Sequence, residues 1–116
     1  MSAAQTIHDT GAVCRLDQLS PERGAAVLIG ERQVALFRID DAHGPTVYAL
    51  DHRDPFTGAN VLARGIVGTT GDRWYVASPL HKQRFDLATG ECLDDETIRV
   101  DVHTVNIVDA HVHVDA

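Results

Sequence analysis

Apolar positions along the chain come in short runs separated by turn residues, and no long stretch repeats with the 3.6-residue period of an amphipathic helix. Residues 12–16 predict a first short strand, and 17–24 a loop or single helical turn punctuated by Pro21 and Gly24. The runs at 25–29 and 33–39 flank Gly30-Glu31-Arg32, which predicts a hairpin. A turn at 40–45 leads to a strand at 46–50, then to an irregular stretch at 51–60. Residues 65–68 lead into a turn at Gly71-Asp72, with strands predicted at 73–77 and 83–87 around a loop at 78–82. Residues 88–91 form the next turn. In the tail, Ile98, Val100 and Val102 alternate with polar residues, and the apolar parity then moves to Val105 and Ile107. That shift predicts a bulge near His103-Thr104. A tight turn at Asp109-Ala110 precedes a last strand, in which Val112 and Val114 alternate with His111 and His113. Residues 1–11 are small and polar and predict a loose lead-in. Closely spaced strands with turn signals between them make the chain an all-β sandwich or small barrel.

Length adds that residues 1–116 suit one domain, with enough chain to bury a core without metal or disulfide staples. A net charge of −7 argues against nucleic acid and anionic membranes as partners. The amino terminus lacks the basic-then-apolar pattern of a signal peptide, and no apolar run is long enough to cross a bilayer. A cytoplasmic location with Cys14 and Cys92 reduced is the expectation.

Two irregular loops carry the chemistry: Asp54-Pro55-Phe56, and Ser78-Pro79-Leu80-His81 with its continuation Lys82-Gln83-Arg84-Phe85-Asp86-Leu87-Ala88-Thr89-Gly90. Their spacing resembles that of Rieske domains, in which Cys-x-His and Cys-x-x-His loops hold a [2Fe–2S] cluster. On that resemblance Asp54 and Ser78 stand where the cysteines belong and Phe56 where one histidine belongs, and His81 alone remains. Phenylalanine has no lone pair and serine is not readily ionised, so these four positions are expected to bind neither cluster nor metal.

The same pair of altered loops resembles one branch in particular, the small subunits of assimilatory NAD(P)H-dependent nitrite reductase. Residues 61–68, 74–80, 82–85 and Asp94-Asp95-Glu96 carry that likeness, which covers about residues 12–114. It implies a Rieske-type antiparallel β-sandwich with a small two-loop subdomain at the former cluster site. It also implies a subunit with no catalytic residues and no cofactor of its own. The large subunit it accompanies would carry FAD, sirohaem and [4Fe–4S] and reduce nitrite to ammonium in nitrate assimilation.

Without a metal to crosslink them, the loops need another tie. Asp54 is expected to accept a hydrogen bond from the Ser78 hydroxyl or from second-loop amides, and Phe56 to fill the space left by imidazole and iron. His81, Lys82 and Arg84 form a basic spot suited to docking the partner, although such a spot is also what any solvated loop looks like. Two other readings compete. A free electron carrier, such as the ferredoxin of a ring-hydroxylating dioxygenase, needs the cluster ligands. A mononuclear metal protein built on His81 needs further ligands that the loops do not supply. His111 and His113 share one strand face and could grip a transition metal, but the polar face of an edge strand looks the same.

Overall fold

Residues 33–39 are apolar at nearly every position, the pattern of a strand covered on both faces. The computed structural model, which describes residues 12–115, puts them in the middle of β3 (Arg32–Asp41). Val34 and Leu36 face one core with Leu19, Val47, Ala49 and Val112. Ala35, Phe37 and Ile39 face a second core with Leu50, Leu62, Val76, Phe85 and Leu87.

The first core lies within a six-stranded antiparallel sheet. Its strands are β1 (Cys14–Arg15), β2 (Gly24–Ile29), β3, β4 (Gly44–Asp51), β8 (Val102–Val108) and β9 (His111–Asp115), in the order β1-β9-β8-β4-β3-β2. The second core joins that sheet to a smaller one of β5 (Ile66–Thr70), β6 (Arg73–Ala77) and β7 (Arg84–Asp86). Short 3-10 turns at Leu16–Gln18 and Leu62–Arg64 lead into loops or strands. This is the expected all-β arrangement, with the two loops gathered on the smaller unit.

The β2–β3 hairpin is tighter than the sequence suggests. Ile29 pairs with Arg32 across a two-residue loop, and Gly30 takes φ +62° at its first position. The predicted bulge is absent from β8, which runs unbroken from Val102 to Val108. His103 instead occupies an inward position in line with Val105, its Nε2 2.8 Å from the Asp51 carboxylate. Residues 98–101 lie outside β8, and Val100 is buried in the second core, so the parity changes between two structures and not within one strand. β9 is not an edge strand, because β1 and β8 flank it. The expected lead-in at 1–11 lies outside the described residues.

Candidate functional site

The two loops share one backbone design. In the first, the Asp54 carbonyl accepts Gly58 N–H at 2.7 Å, and Asp54 N–H reaches Ala59 O at 2.8 Å. In the second, the Ser78 carbonyl accepts Lys82 N–H at 3.0 Å, and Ser78 N–H reaches Gln83 O at 2.9 Å. The side chain at each root also accepts from the residue two places on: Phe56 N–H to Asp54 Oδ1 at 2.8 Å, and Leu80 N–H to Ser78 Oγ at 3.4 Å. The fifth residue is left-handed in both, with Gly58 at φ +79° and Lys82 at φ +67°. Proline in second place presets the turn in each.

The roots meet. Ser78 Oγ donates to Asp54 Oδ2 at 2.5 Å, and both residues are fully buried. This is the tie expected from the sequence, with the hydroxyl as the donor across the loops. The backbone donor comes from the first loop itself, at Phe56, and not from the second. Both carboxylate oxygens are therefore satisfied, as burial of such a group requires.

The loop tips are a different environment. Phe56 remains 38% exposed, with its ring tilted 53° against Phe85 at 6.2 Å between centroids. It fills the old ligand space only in part, which corrects the expectation of a buried plug. Leu80 is 46% exposed, and Pro55, Pro79, His81 and Lys82 are exposed as well. Arg84 is engaged elsewhere. Its guanidinium pairs with Asp94 at 2.9 Å and lies over the Tyr75 ring, and it holds the Asp94 carboxyl below the usual carboxylate range.

Several supports were not legible beforehand. His52 is buried at the start of the first loop, with Ala63 N–H donating to its Nδ1 at 3.1 Å. Its carbonyl accepts Val61 and Leu62 N–H. Burial, with Arg64 nearby, pushes its imidazole below the ordinary histidine value. A lone histidine gives no pattern by which to foresee this. At the end of β7, Asp86 folds the 86–90 turn by accepting Ala88 and Thr89 N–H, and it pairs with Arg73. Burial pushes Asp86 up, but the Thr89 amide, Arg73 and the Ala88 amide together pull it below its usual value. Gly90 follows at φ +80°, where a Cβ would sit 2.2 Å from Val100 O. The shared design of the loops was detectable in principle, since both read polar-Pro-apolar.

The four positions do not fit a [2Fe–2S] cluster. The Ser78 hydroxyl is committed to a carboxylate, Phe56 offers no donor, and His81 stands without a thiolate beside it. Among the described residues, no group of three or more His, Cys, Asp or Glu is placed to hold a metal ion. His111 Nδ1 contacts Asp109 O at 2.8 Å. No helix among the described residues is long and apolar enough to cross a membrane.

Residues 11–115 match the model of the Rieske-like [2Fe-2S] domain. The chain is 38% identical over 102 residues to the nitrite reductase (NADH) small subunit of Escherichia coli K12, spanning 88% of this chain and 93% of that one. The solution structure of the nitrite reductase [NAD(P)H] small subunit from Erwinia carotovora superposes with a TM-score of 0.72 at 39% identity, covering 89% of this chain and 78% of that one. A stretch of the nitrite reductase [NAD(P)H] large subunit of Klebsiella oxytoca is 46% identical over 83 residues, which is 72% of this chain and 8% of that one.

Proposed function

This chain belongs to the Rieske-like [2Fe-2S] domain family, among its nitrite reductase small subunits, and we propose that it works as a single-domain, non-catalytic subunit of an NAD(P)H-dependent nitrite reductase. The observation that carries this reading is the likeness to a small subunit along nearly its whole length, together with the buried Asp54–Ser78 pair where ligands would otherwise stand. The partner is the large subunit, to which the resemblance assigns FAD, sirohaem, [4Fe–4S] and the reduction of nitrite to ammonium. The related stretch within a large-subunit chain supports that pairing, since a domain joined to its partner by peptide bonds needs to work beside it. Both proteins would act in the cytoplasm. Asp54, Phe56, Ser78 and His81 would be degenerate ligand positions, of which Asp54 and Ser78 tie the loops together, and electrons would not pass through this chain.

Purified chain mixed with its large subunit tests the reading. The two should co-elute, the mixture should reduce nitrite with NAD(P)H, and the isolated chain should do neither that nor carry iron and acid-labile sulfide. Failure of the two to associate under any redox condition contradicts the reading, as does near-stoichiometric iron in the small subunit.

A further inference from the structure

Charge is distributed unevenly along the chain. Residues 52–85 hold five of the ten Lys and Arg and only two of the seventeen acidic residues, Asp54 and Asp72. Asp54 is buried, and Asp72 sits in the β5–β6 turn, at the far end of that hairpin from Ser78. The cations Arg53, Arg64 and Lys82 are exposed, and none has an ion-pair partner among the described residues, whereas Arg73 and Arg84 do.

These three cations lie at the loop end. The Arg53 guanidinium reaches Gly58, where a Cβ would sit 3.4 Å from it, so its charge lies on the first loop. Arg64 is two residues before Ile66, and Ile66 pairs with Ala77, the neighbour of Ser78. Lys82 is part of the second loop. Phe56 and Leu80 are exposed apolar side chains of the two loops, and Ile66, at 69% exposure, lines a surface depression beside Arg64, Glu22 and Arg23. The backbone amides of Phe56 and Leu80 both converge on the buried Asp54–Ser78 pair, which holds the two loop backbones together beneath these residues. Lys82 keeps a left-handed backbone that glycine would adopt without strain, as Gly58 does in the first loop.

We propose that this end of the molecule is the surface that docks onto the large subunit, through an apolar centre of Phe56, Leu80 and Ile66 set among Arg53, Arg64 and Lys82. It fits a partner surface with an apolar patch bordered by carboxylates, and the acidic remainder of this chain disfavours other orientations. The inference rests on the proposed pairing and adds its location and chemistry.

The test is affinity for the intact large subunit, measured at low and high salt with the whole chain. Leu80→Asp is expected to weaken binding at least about ten-fold, the scale of one lost interface anchor. The pair Arg53→Glu with Lys82→Glu is expected to weaken it by a similar factor at low salt and less at high salt. Val108→Asp, at an exposed apolar position by the β8–β9 turn, should bind as wild type. Loop-end variants that fold normally and bind within two-fold of wild type would overturn the proposal, because wild-type association would then use another face. So would wild-type self-association that Leu80→Asp dissolves, which would assign the surface to a second copy. A wild-type chain that never binds the large subunit would instead defeat the proposed function itself.

Discussion

The two loops of the smaller unit have the same backbone and different chemistry. Each closes with the same three hydrogen bonds, counted from its root, and each has proline in second place. At the root, however, one loop has a carboxylate and the other a hydroxyl. Two carboxylates would repel in a buried space, whereas a donor and an acceptor complete one another at 2.5 Å. At the fifth position one loop has glycine and the other lysine, so one is relaxed and the other strained. A near-symmetric frame of the kind that suits a shared metal has thus become asymmetric. One difference ties the roots together, and the other places a cation at the tip.

The largest break in this arrangement should come at the acceptor. Asp54→Ala strands the Ser78 hydroxyl and the Phe56 amide, and should cost about 3–5 kcal/mol by urea denaturation, from two charge-assisted bonds. Phe56→Ala should cost only about 1–2 kcal/mol, below the range of a fully buried aromatic, because part of the ring is already wet. The fifth positions should respond in opposite directions. Gly58→Ala forces a side chain into left-handed backbone and should cost about 1–2 kcal/mol, while Lys82→Gly relieves strain and should gain up to about 1 kcal/mol. Equal responses at the two sites would remove the asymmetry.

Acid should separate the loops more gently. The His52 pKa is lowered in the fold, so the stability it contributes is complete above the unfolded value near 6.5 and is lost as pH falls through the lower folded value. The Ala63 amide loses its acceptor when the ring takes up a proton. Protection factors of first-loop amides, corrected for the intrinsic pH dependence of exchange, should therefore fall on acidification ahead of those at residues 78–83, as measured by native-state exchange. Protection that falls together in both loops would contradict a local role for His52.

Much of this was legible from sequence, for identifiable reasons. Strands with covered faces or tight turns announce themselves, as residues 33–39 and Gly71-Asp72 do. The Asp54–Ser78 contact followed from family spacing, since two positions that share an iron must be neighbours. Where the outcome depended on local packing, the sequence was silent. It could not show that the Phe56 ring stops at the rim, that Asp94 takes the charge of Arg84, or that His103 turns inward to Asp51 and keeps the parity of β8 intact. The likeness of the loops is mostly backbone hydrogen bonding, which residue identity barely records.

The Asp54–Ser78 hydrogen bond takes the place of the metal crosslink that joins the two loops in cluster-bearing Rieske domains. A double-mutant cycle over Asp54→Ala and Ser78→Ala, read as urea-unfolding free energies, tests it directly. A coupling of about 1.5–3 kcal/mol between the two sites is expected, the range of a charge-assisted bond. Free energies that add to within about 0.5 kcal/mol would show that the two residues act independently, and would contradict it.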